Sequence, residues 1–254
     1  MPFEEDDLPH SGHHYVVTND HVRIGARALR INLRDGGSED LSVHPEDWFP
    51  HPEGDDLAIR PLLLSSHHRF AAVNRSMILS PTLQAKYDFG PGDEAFLIGR
   101  YVDLEGRSHN VPTVRTGVVS VLPAEPIFQP ERGHNQETIL IEGRSLSGYS
   151  GAPVFVTLAP HIQGTIDNVP FVNQLSGSPC VLLGIVYGHH PWRHPIRELA
   201  EVDSQSPNKT KPYVEGNSGM MMVIPPEKVL DILDLPELVE LRLKKEKEVL
   251  KQVS

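Results

Sequence analysis

The chain has 254 residues, 39% of them hydrophobic and 22% charged, enough to bury a substantial core in one compound domain or two small ones. A formal net charge of −11 without a basic stripe argues against nucleic acid as a partner, because a phosphate-tracking surface needs clustered Lys and Arg. The single cysteine, Cys180, excludes an intramolecular disulfide. No stretch approaches the roughly 18 to 20 apolar residues of a spanning helix or pairs a basic flank with a short apolar run, so a cytoplasmic protein with no membrane partner is expected.

Taken in chain order, residues 1–14 are polar and acidic and predict a disordered lead-in. The first strand is Tyr15 to Thr18, running through Asn19-Asp20 into His21. Short apolar runs at Ala28–Leu33, Leu57–Leu63, Glu94–Ile98, Thr116–Val121 and Thr138–Glu142 predict further strands, and a second group covers Ala152–Leu158, Cys180–Tyr187 and Gly219–Ile224. Asp35-Gly36-Gly37 and Pro91-Gly92-Asp93 are turn signals. The 23 Pro and 20 Gly scattered between these runs fit many turns joining many short strands, an all-β body. Only the C-terminus predicts helix: Pro226 suits a first helical position, Val229, Leu230 and Leu233 share a face, and Pro236 restarts the helix toward Lys251. Its charges, with Glu240 and Lys244 four residues apart, predict a solvated face.

A serine nucleophile is weak at neutral pH. It needs an imidazole to take its proton, a carboxylate to orient that imidazole and amide donors for the oxyanion. Leu146-Ser147-Gly148-Tyr149-Ser150-Gly151-Ala152-Pro153 places a glycine-flanked serine on a turn before an apolar strand. Gly148 removes a side chain where the backbone bends, so that its N–H and that of Ser150 can point into one spot. A plain hairpin would use the same residue types. The odds shift with His21 at the end of the first strand and Asp56 opening the run Leu57-Ala58-Ile59. The chain order is His, Asp, Ser, with gaps of 35 and 94 residues.

That order, with Val17-Thr18-Asn19-Asp20-His21-Val22, Asp56-Leu57-Ala58-Ile59 and Gly148-Tyr149-Ser150-Gly151-Ala152-Pro153, resembles the trypsin-like serine peptidases of chymotrypsin fold. The likeness is strongest to their disulfide-free bacterial branch related to the high-temperature-requirement proteases. Leu182 to Gly188 is similar to the strand that lines the primary pocket there, and Asn217 to Pro225 to the closing strand. The resemblance implies two antiparallel six-stranded β-barrels over residues 15–88 and 89–225, with a helix over 226–254 and a boundary near 85–92. The expectation allows for an incomplete first barrel, since 20 residues precede His21. It further implies a catalytic triad of His21, Asp56 and Ser150, an oxyanion hole from Gly148 and Ser150, and substrate pairing along Val186, Tyr187 and Gly188. Asp55 is the rival carboxylate; Asp56 abuts the strand directly. Tyr149 stands where secreted trypsins carry an aspartate for a freed N-terminus, so no zymogen switch is expected. Arg144, six residues before Ser150, is read as an exposed arginine, with a place near the pocket floor as the alternative.

The expected activity is peptide-bond hydrolysis of protein or peptide substrates through an acyl-enzyme, without metal or organic cofactor. A non-catalytic peptide-binding module and an esterase are the alternatives. His189 to His194 lacks a metal-ligand spacing and predicts a polar loop. Phe70, Phe96, Phe128, Phe155 and Phe171 are read as core. The oligomeric state is left open.

Overall fold

A computed structural model of the chain describes residues 12–100, 106–123, 125–143, 148–158, 161–166, 169–174, 180–195 and 213–253. The first half carries β1 (His14–Thr18), α1 (Asp20–Gly25), β2 (Ala28–Asn32), β3 (Ser38–Ser42), β4 (Phe49–Pro50), β5 (Ala58–Leu62) and α2 (Pro81–Tyr87). The second half carries β6 (Glu94–Arg100), β7 (Pro112–Val121), β8 (Ile127–Gln129), β9 (His134–Gln136), β10 (Ile139–Gly143), β11 (Pro153–Thr157), β12 (His161–Ile166), β13 (Val169–Gln174), β14 (Cys180–Pro195) and β15 (Tyr213–Ile224). Helices α3 (Glu227–Leu233) and α4 (Pro236–Val253) end the chain.

Six strands of the second half close on themselves in the order β10-β15-β14-β11-β6-β7, with β7 pairing back to β10. Closure leaves no open edge around the barrel wall. Alternation along each strand sends one side chain in and the next out. Leu97, Val119, Ile141, Val154, Leu183 and Val223, one from each strand, are almost fully buried inside. A second cluster joins Leu57 and Ile59 of the first half to Leu182, Ile185 and Ile224 on the barrel and to Ile232 and Leu238 of α3 and α4. The C-terminal helices thus help to clamp the two halves together. Among the described residues no helix is long and apolar enough to cross a membrane.

Among the described residues the first half forms no closed barrel. It holds a three-stranded sheet, β1-β5-β4, and a separate β2–β3 hairpin, so the expectation of two six-stranded barrels is met by one. The reason is local. β4 is two residues long and ends in Pro50, which has no N–H to extend a ladder, and β3 is Ser-Glu-Asp-Leu-Ser, too polar to supply a buried face.

Other differences have equally plain causes. The helix α2 follows a signal present in the sequence: Ser80 caps it by accepting the Leu83 N–H at 3.3 Å, and Pro81 follows at the first position. The expected loop at His189–His194 is instead the continuation of β14, paired with β15 from Pro191 opposite Asn217 to Pro195 opposite Tyr213. Phe155 is buried and stacks on Phe96 at 5.6 Å, whereas Phe128 is exposed; the side chain of Phe171 lies outside the described residues. Pro226 precedes α3 as its cap rather than opening it.

Candidate functional site

His21 is the second residue of the short helix α1, not the last residue of a strand. β1 stops at Thr18, and Asn19 turns the chain, its carbonyl accepting the N–H groups of Val22 and Arg23 at 3.1 Å each. The Asn19 side chain is fully buried and donates to the Asp56 carbonyl at 2.9 Å. Two segments 37 residues apart are thereby locked together. Asp56 then accepts twice from one residue, through Oδ1 from the His21 backbone N–H at 3.0 Å and through Oδ2 from the His21 ring at Nδ1, 2.6 Å away. An ionised carboxylate only accepts, so Nδ1 carries the proton and Nε2 is left as the basic nitrogen.

The surroundings are graded from dry to wet, since the Asp56 side chain is 3% exposed and that of His21 45%. Burial pushes the Asp56 carboxyl up. The hydrogen bonds from the His21 ring and backbone, with the charges of His21 and Arg132, outweigh it and hold Asp56 below the usual carboxylate range. The bond to Asp56 raises His21 above its ordinary 6.5 against the opposing effects of burial and Arg132. Tyr187 is buried, has its hydroxyl 2.7 Å from Thr138 Oγ1 and is pushed up to about 12, chiefly by burial.

Ser150 sits on the turn between β10 and β11. Tyr149 anchors this turn: its ring is buried, and its hydroxyl accepts from Arg115 Nε at 2.7 Å and lies 3.1 Å from Thr113 Oγ1. The phenol fixes the turn from within the barrel. Gly151 N–H donates to the Val186 carbonyl at 2.8 Å, and Ala152 N–H to that of Tyr149 at 2.9 Å. Gly148 and Ser150 N–H donate to no partner among the described residues. A Cβ at Gly151 would stand 2.6 Å from Thr18 Oγ1, so the Ser150 turn rests directly on the end of β1, three residues before His21. Among the described residues no hydrogen bond joins the Ser150 hydroxyl to the His21 ring. Since Gly151 also has φ +85°, Gly151→Ala is expected to cost about 1–3 kcal/mol of stability, read as a lower thermal midpoint.

The edge of β14 that faces β11 is in use up to Val186, whose N–H donates to Ala152 at 2.9 Å and whose carbonyl accepts from Gly151. Among the described residues no strand takes that edge from Tyr187 through Gly188 and beyond. Of the three residues expected to pair with a peptide, Val186 therefore spends its backbone on the serine turn, and Tyr187 buries its ring. Arg144 lies outside the described residues.

Asp55 turns away from His21 into a network of its own. Gln136 Nε2 donates to its Oδ1 at 2.8 Å, where His134 Nε2 also stands 3.1 Å away; His51 Nδ1 and Lys228 Nζ lie 3.0 and 3.4 Å from Oδ2. His51, Glu53 and Asp55 bring ligand atoms within 4.8 Å of one another. The Lys228 ammonium stands among these carboxylates, 3.7 Å from Glu53 and 3.0 Å from Glu137, and supplies the positive charge there.

Sequence reasoning missed the hairpin β8–β9, which supports both aspartates from the second half. Gln136, fully buried, accepts the Asp56 N–H at 2.9 Å while donating to Asp55. Arg132 at the hairpin tip places Nη1 3.1 Å from Asp56 Oδ1.

No protein-family model matches the chain, and no curated protein matches it. Among solved structures it is similar to the apo form of the MamO protease domain from Magnetospirillum magneticum, at 13% identity and a TM-score of 0.46, over 85% of this chain and 80% of that one.

Proposed function

We propose that the chain is a serine endopeptidase of chymotrypsin type, with His21 as general base, Asp56 as its orienting carboxylate and Ser150 as nucleophile. One observation carries the reading: a half-exposed imidazole is fixed by a 2.6 Å bond to a buried carboxylate, with its other nitrogen left basic. The glycine-flanked serine turn packed on Thr18 supports it. Nε2 takes the Ser150 proton as Oγ attacks the scissile carbonyl, and the Gly148 and Ser150 N–H groups receive the oxyanion. The imidazolium then protonates the leaving amine, and water repeats the sequence on the acyl-enzyme. The substrate is a peptide segment laid along β14 from Tyr187 and Gly188 by backbone hydrogen bonds. No step calls on a metal or organic cofactor.

The test is covalent labelling by a fluorophosphonate, expected for wild type and lost in Ser150→Ala, together with casein cleavage lost in His21→Ala. The base works only when neutral, and its bond to Asp56 raises its pKa. The acidic limb of kcat/KM is therefore expected to have its midpoint above 6.5. Cleavage of esters but not casein would turn the reading to an esterase. The missing Ser150–His21 hydrogen bond favours a second reading, a non-catalytic peptide-binding module. A folded wild type that the probe never labels favours it over the peptidase, although such bonds often tighten only when substrate binds.

A further inference from the structure

Asp56 holds the His21 imidazole, Asp20 precedes His21 on α1, and one guanidinium touches both carboxylates. Arg132 Nη1 is 3.1 Å from Asp56 Oδ1, while Nη2 is 3.1 Å from Asp20 Oδ2 and donates to the Gly54 carbonyl at 3.3 Å. The side chain is 24% exposed and comes from the other half of the molecule. The turn that delivers it is tied off by the N–H groups of Arg132 and Gly133, both donating to the Gln129 carbonyl, with Gly133 at φ +62°. Asp56 thus divides its oxygens: Oδ2 serves the imidazole, and Oδ1 serves Arg132 and the His21 backbone.

This division matters because a base can be held too tightly. A buried carboxylate beside an imidazole favours the imidazolium, and a second carboxylate nearby favours it further, yet a protonated base cannot accept a proton from serine. We propose that Arg132 is a positioning residue of the His21–Asp56 pair, bridging Asp56 and Asp20 so that Asp56 stays oriented and ionised without trapping the base in its protonated form. The inference rests on the peptidase reading for its purpose, not for its electrostatics. The other groups facing the pair act in fixed directions. Arg23 pairs with Asp20 on α1. Tyr187 on β14 is buried and stays neutral. Asp55 is turned to His51, His134 and Lys228. Among the described residues Arg132 alone of the cations contacts both Asp20 and Asp56, and its charge opposes protonation of His21.

The experiment is an NMR titration of the His21 ring, assigned by its loss in His21→Gln, in wild type, Arg132→Gln and Arg132→Lys. The expected result is a midpoint about half a pH unit or more higher in Arg132→Gln, largely restored in Arg132→Lys, with the acidic limb of kcat/KM moving by the same amount. An unchanged or lowered His21 midpoint in Arg132→Gln overturns the inference. So does failure of both Arg132→Gln and Arg132→Met to fold while Arg132→Lys folds, which would make the arginine a structural strut. The ring titration is read whether or not the protein cleaves peptides. An unlabelled wild type with a shifted Arg132→Gln therefore sinks the peptidase reading alone, and a labelled wild type with no shift sinks only this one.

Discussion

Asp56→Asn is expected to lower kcat by about 10⁴-fold while leaving the protein folded. Asp56 Oδ1 accepts from the His21 N–H and faces Arg132, so the amide oxygen of the variant takes that place. The amide NH₂ then faces His21 Nδ1. Two donors cannot share that contact, and the imidazole must carry its proton on Nε2, the nitrogen that should receive one from Ser150. The serine, the oxyanion donors and the peptide edge remain, so the residual rate should stay above that in water alone. The checks are kcat on a peptide substrate, the far-ultraviolet spectrum to establish folding, and the His21 ring signals, which should report the exchanged tautomer. A variant within tenfold of wild type would show that Asp56 does not orient the base.

The pairing behind this prediction was legible in the sequence because three short patterns carried it. Asn19, His21 and Asp56 sit where strand ends and turn residues occur side by side, and Asn19 proves to be the lock that holds the Asp56 carbonyl. The barrel was legible for a similar reason: its strands are short apolar runs between turn residues, and Leu97, Val154 and Leu183 within them are buried. The hairpin β8–β9 was not, because Ile-Phe-Gln and His-Asn-Gln are three-residue strands with no apolar alternation. Its value lies in long-range polar contacts from Arg132 and Gln136, which no local pattern encodes. The length of β14 was hidden by Pro191 and by histidines that read as loop, although backbone pairing with β15 carries the strand through them. The six-residue helix α1 is too short for periodicity to announce.

The proposed site is therefore built across the two halves. The first contributes the imidazole and carboxylate; the second contributes the serine turn and, through one hairpin, the groups that hold both aspartates. Such an arrangement couples assembly to chemistry, since Asp56 meets Arg132 and Gln136 only when the halves have docked.

Asp55 and Asp56 are neighbours with opposite duties, and Asp55→Ala separates them. Asp55 is 3% exposed, and its loss removes the carboxylate that Gln136, His134, His51 and Lys228 all face. Removing one member of such a buried charged network costs about 3–5 kcal/mol, or a thermal midpoint lower by roughly 10 °C in a chain of this size. Burial pushes the Asp55 carboxyl up, but the bonds from His51 and His134 and the Lys228 charge outweigh it and hold it well below the usual range. A depressed carboxylate contributes stability above its unfolded value of about 3.9 and loses it as pH falls through the folded one. The stability gap between wild type and Asp55→Ala should accordingly be widest near neutral pH and shrink in acid, as denaturant melts at several pH values would read. Below its melting temperature the variant should retain kcat within a few-fold, because His21 keeps both bonds to Asp56. A stable but inactive Asp55→Ala would reverse the two roles and hand the triad to the other carboxylate.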